Sequence, residues 1–147
     1  MNAKIRYMRL EDLEDIMHIE HKSFTIPWAK TSFEKELQDN DSAVYIIAHD
    51  NKNVIGYGGM WKVIDEGHIT NIAVHPDYRN NRIGCLLLEG LIDIAKQLNL
   101  VSMTLEVRES NHIARRLYAK YRFYEAGKRK KYYQDNREDA VIMWKRL

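Results

Sequence analysis

The segment Val74-His75-Pro76-Asp77-Tyr78-Arg79-Asn80-Asn81-Arg82-Ile83-Gly84-Cys85 leads from an apolar run into a long amphipathic one. A polar loop feeding a helix start presents unpaired backbone N–H groups beside the positive end of the dipole, a geometry that suits phosphate. Arg79 and Arg82 add cations for charge-assisted bonds, and Gly84 lets a ligand approach the backbone. On residue types alone, a solvated basic loop capping a helix reads equally well. Farther on, Thr104, Glu106 and Arg108 alternate with Met103, Leu105 and Val107, which sets a carboxylate on the polar face of a strand. Tyr118 follows at helical spacing, with Ala114 four residues before it and Tyr121 three after. A carboxylate base and a phenol acid are one reading of Glu106 and Tyr118; a solvated strand residue and a core tyrosine are the other.

Other chemistries find less support. The six histidines are scattered, and only His18 and His21 lie three apart on one helix face without a clustered third ligand, so no metal site is expected. The single Cys85 excludes an intramolecular disulfide and a multi-cysteine zinc cluster. It reads as a small packing residue near a helix start, where thiol pKa values can fall. Lys128-Arg129-Lys130-Lys131, followed by Tyr132 and Tyr133, could meet a nucleic acid, but a solvated strand end is the plainer reading. With 23 Lys plus Arg against 21 Asp plus Glu, the formal charge is only +2, which argues against bulk phosphate-backbone binding and leaves room for one small anion.

The elements that must position these residues are legible in order. The 147 residues, 45% hydrophobic and 30% charged with seven Gly and two Pro, suit one globular domain, 1–147. No run approaches a membrane span and the N-terminus lacks a secretory core, so a cytoplasmic location is expected. Lys4 to Met8 reads as a strand, and Leu10 to Phe24 as a helix with Glu11, Asp12 and Glu14 in its first turn. Pro27-Trp28 breaks that run, and a short helix starts at Thr31. Strands follow over Ala43 to Ala48, Val54 to Val63 and Gly67 to Val74. Gly56, Gly58 and Gly59 in the second of these mark a bulge or close backbone approach. Ile83, Leu87, Leu91, Ile94 and Leu98 define a helix by their spacing. A strand over Met103 to Val107 precedes a helix over Asn111 to Tyr121, with Ile113, Leu117 and Tyr121 aligned. Two strands close the chain, Tyr124 to Tyr133 and Ala140 to Trp144. The order βααβββαβαββ predicts an α/β (α+β) fold, a mixed and mostly antiparallel sheet with helices on both faces.

Arg79-x-x-Arg82-Ile83-Gly84 resembles the Gln/Arg-x-x-Gly-x-Gly/Ala loop of the GNAT N-acetyltransferases, and His68-Ile69-Thr70-Asn71-Ile72-Ala73-Val74-His75-Pro76 is similar to their central strand. Leu105-Glu106-Val107-Arg108-Glu109-Ser110-Asn111 with Leu117-Tyr118 looks like the RimI-type branch, the ribosomal-protein alanine N-acetyltransferases. Pro27-Trp28 and Lys131-Tyr132-Tyr133 with Glu138-Asp139-Ala140 match as well, so the likeness runs from end to end. Two departures stand out. Arg82 occupies the place of the loop's first glycine: a left-handed conformation there would cost roughly 1–2 kcal/mol, and any other would make it a further cation. Arg122 stands where relatives carry glycine before Phe123, a position that caps a helix.

The resemblance implies acetyl-coenzyme A as co-substrate, held by Ile72, Ala73, Val74, Arg79, Asn80, Asn81, Arg82, Ile83, Gly84, Cys85, Asn111 and Tyr118. It implies Glu106 as general base and Tyr118 as general acid in direct transfer, with a backbone N–H near Val74 facing the oxyanion. Phe24, Pro27 and Trp28 would wall a peptide groove opposite Tyr132 and Tyr133. The implied activity is acetylation of a protein α-amine, that of the N-terminal alanine of the small-subunit ribosomal protein numbered eighteen. An α-amine, with a pKa of about 7.7–8.0, is far easier to deprotonate than lysine at about 10.4. Another N-terminus, a small amine, or a silent coenzyme A-binding partner of tRNA-modifying machinery are the alternatives. The presence of both Glu106 and Tyr118 argues against the silent binder.

Overall fold

The computed structural model describes residues 2–147. Its centre is the helix that the Ile83–Leu98 spacing predicts, α3 (Ile83–Gln97) in the numbering used below, whose Leu87, Leu88 and Leu91 are wholly buried. The other elements are β1 (Lys4–Tyr7), α1 (Leu13–Ser23), α2 (Lys30–Asp39), β2 (Ala43–His49), β3 (Val54–Val63) and β4 (Glu66–Val74) before it, then β5 (Ser102–Arg108), α4 (His112–Lys120), β6 (Tyr124–Arg129) and β7 (Ala140–Arg146). The order is βααβββαβαββ, as expected. The strands form one sheet ordered β1-β2-β3-β4-β5-β7-β6, antiparallel throughout except at β4–β5.

Two apolar clusters cover the two faces of this sheet. One gathers α3 and α4 residues against Ile46, Ile55, Met103, Leu105 and Val141. The other gathers Leu13, Ile16 and Ile19 of α1 with Phe33 of α2 over Tyr45, Ile47 and Tyr57. Strand alternation explains the division: Ile46 and Ile47 are neighbours in sequence and face opposite layers.

β3 and β4 pair along nearly their whole length, but the register slips between Gly59 and Met60, so that Thr70 is the extra residue of a bulge on β4. The glycine is required there, because a Cβ on Gly59 would stand 2.2 Å from the ring of Tyr45. Beyond the bulge β4 turns away from β5. The two parallel strands pair only at Glu66–His68 against Ser102–Thr104, then splay apart. A bulge increases local twist, and an unpaired stretch in mid-sheet opens a cleft between strands.

Three expectations change and a fourth, the helix end at Arg122, holds. The first helix begins as a 3-10 turn over Leu10–Asp12, and Asp12 is buried and bonded to Arg6 at 2.8 Å, so it joins β1 to α1 and does not serve the helix dipole from solvent. α4 does not bury Ile113, which is 82% exposed; its inward face is carried by Tyr118, with Ala114 and Leu117 beside it. The spacing is compatible with either stripe, and packing into the core cluster that α3 shares selects the second. The penultimate strand ends at Arg129, four residues before Tyr133. Lys131 is left-handed at φ 53° and its N–H donates to Asp139 Oδ1 at 2.9 Å, which turns the chain into a loop. Arg122 adopts φ 69° and ends α4 in a Schellman arrangement, Phe123 N–H to Tyr118 C=O and Arg122 N–H to Ala119 C=O. The missing glycine there changes a helix end and nothing near the cleft.

Candidate active site

The splay between β4 and β5 opens a cleft of about 650 Å³. Its floor is Ile69–Ile72 of β4 and Leu105–Arg108 of β5, one wall is the α1–α2 connection, and the other is the β6–β7 connection. Glu106 and Tyr118 both line it. Glu106 stands on the polar face of β5 with its side chain 31% exposed, and its Oε1 accepts from Arg129 Nε at 3.1 Å. Tyr118 is 8% exposed, its ring edge-on to Phe123 with centroids 5.8 Å apart. It is therefore both a core residue and a cleft residue. Burial, with Tyr133 nearby, pushes its phenol well above the ordinary range, so it stays protonated at any physiological pH.

The walls are held by polar contacts that the sequence does not announce. Glu20, 2% exposed near the end of α1, accepts from the backbone N–H of Trp28 at 2.7 Å and from the hydroxyl of Tyr57. No cation pairs with it among the described residues. Its place one turn after Ile16 on the buried stripe of α1 is the only signal the sequence carries. Replacing Glu20 by Ala leaves the part-buried Trp28 N–H and the buried Tyr57 hydroxyl without acceptors, and is expected to cost about 2 kcal/mol, read as a lower urea midpoint.

Across the cleft, Arg108 gathers the β6–β7 connection around itself. Its guanidinium reaches Asp135 at 2.8 Å and Glu138 at 3.4 Å, and lies over the ring of Tyr133 at 4.0 Å. Asp135 also accepts from Thr25 Oγ1 at 2.6 Å, so the two walls touch above the floor. Both acids are held below the usual carboxylate range: Asp135 chiefly by Thr25 and then Arg108, Glu138 chiefly by the Ser110 side chain, then by the Ser110 amide and Arg108. A depressed carboxyl contributes stability above its unfolded pKa and loses it as pH falls through the folded value. The connection is therefore expected to stay closed at pH 5 and to loosen below about pH 4, where the unfolded carboxyl pKa lies. Amide exchange over residues 130–139, measured across that range, checks this.

Of the expected groove residues, Phe24, Trp28, Tyr132 and Tyr133 line the cleft, whereas Pro27 does not; it breaks the chain so that Trp28 can turn in. Trp28 also rests on Phe33, with centroids 5.2 Å apart. Burial pushes the Tyr133 phenol up to about 12.

Ile72, Asn111 and Tyr118 of the expected cofactor set reach the cleft; Arg79–Cys85 lie beyond it, around the start of α3. There Asn80 and Arg82 are both left-handed, at φ 67° and 62°. Arg82 thus adopts the conformation that favours glycine, at a strain of about 1–2 kcal/mol, and its side chain is exposed. Alternating left-handed residues point successive N–H groups to one side. Asn81 Nδ2 braces the turn on the carbonyls of Tyr78 and Arg79, both at 3.2 Å, and among the described residues no carbonyl accepts from the first-turn amides of Ile83, Gly84 and Cys85. Free amides beside two exposed arginines fit a pyrophosphate. Asn111 is committed to capping α4, accepting from Ala114 N–H at 3.1 Å, and Cys85 lies 4.0 Å from Lys120 Nζ, away from the cleft.

Comparison with known proteins bears on what this arrangement does. Residues 13–123 match the acetyltransferase (GNAT) family. The chain belongs to that family. It is an N-acetyltransferase by that membership and by its relatives. It is similar to the putative [ribosomal protein bS18]-alanine N-acetyltransferase of Bacillus subtilis, 44% identical over 142 residues that cover 97% of this chain and 94% of that one. It is also similar to the [ribosomal protein bS18]-alanine N-acetyltransferase of Escherichia coli, 36% identical over 95% of this chain and 94% of the other. The crystal structure of the Escherichia coli ribosomal-protein-S18-alanine N-acetyltransferase superposes with a TM-score of 0.91 at 33% identity, covering 99% of this chain and 94% of that chain. Ard1 of Thermoplasma volcanium superposes at 0.90 with 25% identity, covering 100% and 99%. In a GNAT acetyltransferase, the co-substrate is acetyl-coenzyme A, and the amide-rich turn before α3 is suited to its pyrophosphate.

Proposed function

We propose that this protein, its residues 1–147 forming one acetyltransferase domain, transfers the acetyl group of acetyl-coenzyme A to the N-terminal alanine of ribosomal protein bS18. The work is done in the cytoplasm, and the transfer needs no covalent enzyme intermediate. The observation that carries this reading is the meeting of Glu106 and Tyr118 in one cleft at the β4–β5 splay, beneath walls joined by Thr25 and Asp135. A cleft bridged in this way admits a chain end more readily than a lysine in mid-chain. The names of the relatives support bS18 as the protein met.

The steps follow from the residue chemistry. At neutral pH most of an α-amine, with a pKa of about 7.7–8.0, is ammonium and cannot attack. Glu106 accepts its proton, directly or through one water, and the freed nitrogen lone pair adds to the thioester carbonyl carbon. The new C–N bond gives a tetrahedral oxyanion, faced by a backbone N–H near Val74. Collapse breaks the C–S bond, Tyr118 donates its proton to the departing sulfur, and the second proton of the nitrogen passes back to the Tyr118 oxygen, leaving a neutral amide and a free thiol, while Glu106 gives its proton to solvent. Ile72–Val74 and Asn111 border the pantetheine arm, while Arg79–Cys85 hold the pyrophosphate. Phe24, Trp28, Tyr132 and Tyr133 flank the peptide, and Pro27 sets the bend that carries Trp28. An association with tRNA-modifying machinery has the resemblance alone behind it.

The test is thiol release from acetyl-coenzyme A with the N-terminal peptide of bS18, beside the same peptide blocked at its α-amine. The peptide carries an internal lysine, and mass spectrometry locates the acetyl group. Transfer to the free α-amine alone supports the reading; transfer to neither, with cofactor binding intact, turns attention to a small amine or to a silent binder.

A further inference from the structure

The basic run Lys128–Lys131 is not a uniformly solvated face. Successive strand residues point to opposite sides, and β6 divides the run accordingly: Lys128 Nζ takes Glu109 at 2.7 Å, whereas Arg129 turns over the cleft face to Glu106. Register places it there. Glu106 lies opposite Ile142, which lies opposite Gly127, and Arg129 is two residues farther along the same face. In the next row Ala140 stands between Arg108 and Arg129. Arg108 therefore lines the cleft, and Arg129 stands on the same face of the sheet with a small residue between them. Arg108 is committed to Asp135, Glu138 and Tyr133, which leaves Arg129 for Glu106.

The pair is half open to solvent, with side chains 55% and 31% exposed, and pairs of that kind add little to stability. Its geometry is more informative. Arg129 binds Oε1 through Nε, and among the described residues nothing donates to Oε2. One carboxylate oxygen is anchored and the other is left to accept a proton. We propose that Arg129 is a positioning residue for Glu106, fixing the carboxylate so that Oε2 faces the incoming amine; this rests on the reading of Glu106 as the base. Arg129 touches neither substrate nor cofactor in this role, and acts only through Glu106.

A double-mutant cycle on the full chain tests it, with acetyl-coenzyme A and the bS18 N-terminal peptide as substrates. Arg129→Ala is expected to lower kcat about tenfold with KM for acetyl-coenzyme A unchanged, the scale of a loosened catalytic group. Arg129→Lys, which can still donate to Oε1, is expected to recover part of the loss. In the Glu106→Gln background, Arg129→Ala is expected to cost less than about twofold, since the group it positions no longer takes a proton. A tenfold loss in both backgrounds, or a raised peptide KM at unchanged kcat, would overturn the proposal while leaving Glu106 as the base. If Glu106→Gln itself leaves kcat intact, the reading of Glu106 fails first and the proposal falls with it. Thermal unfolding of each variant separates these outcomes from loss of fold.

Discussion

Glu106→Gln is expected to lower kcat about a thousandfold while acetyl-coenzyme A still binds. The substitution keeps shape and one carbonyl oxygen able to accept from Arg129 Nε, which lies 3.1 Å from Oε1. What it removes is the ability to hold a proton. The amine then enters the reaction only in the fraction that has lost its proton to solvent, and general-base assistance of roughly 10²–10⁴-fold disappears. The cofactor turn before α3 is remote from β5 in the fold, so its affinity has no reason to change. Steady-state thiol release, with coenzyme A affinity from calorimetry on the same sample, reads both quantities. Raising the pH restores free amine without the base, so the variant's deficit is expected to shrink between about pH 7 and 9, as an α-amine of pKa about 7.7–8.0 titrates. An unchanged kcat would remove Glu106 from the mechanism.

Tyr118→Phe carries the second-largest effect, about a hundredfold in kcat, and the difference from Glu106 has a chemical cause. A thiol has a pKa of about 8.5, so a thiolate leaves tolerably well without a proton, whereas an ammonium cannot attack at all. Burial holds the Tyr118 phenol far above that value, which makes it a firm hydrogen-bond donor to the departing sulfur throughout the pH range. The ring itself must remain, because Tyr118 lies in the α3–α4 core against Phe123. Phe keeps that packing, and Ala would confuse a stability loss with a chemical one. A ring substitution that leaves the unfolding midpoint nearly unchanged and lowers kcat about 10²-fold assigns the effect to the hydroxyl. A loss below about twofold would relegate Tyr118 to packing.

Much of this architecture is written locally. The Ile83–Leu98 spacing, the alternation over 103–108 and Pro27 and Pro76 at the breaks specify the element order, because helix and strand periods are properties of a short segment. Glu106 was visible for the same reason, as a lone carboxylate on the polar face of β5. The stripe of α4 was not: Ile113 and Ala114 head two equally regular spacings, and only the core that α4 shares with α3 decides that Tyr118 turns inward. Nor was the end of β6, because the turn at Lys131 is stabilised by Asp139, eight residues on, and by loop contacts that Arg108 organises.

The sequence by itself determined the periodicities, the polar turn before α3 and the residue types able to move a proton. Tertiary structure alone decided the splay of β4 from β5, which follows from the bulge at Thr70 and the three-residue pairing at Glu66–His68. It also decided the Thr25–Asp135 bridge across 110 positions, the buried Glu20 beneath Trp28, and the choice of Arg129 as the partner of Glu106. Each of these joins groups that lie on different strands or loops. A periodicity records which face of its own element a side chain occupies; which distant face it meets is set when the elements pack and every buried polar group must find a partner.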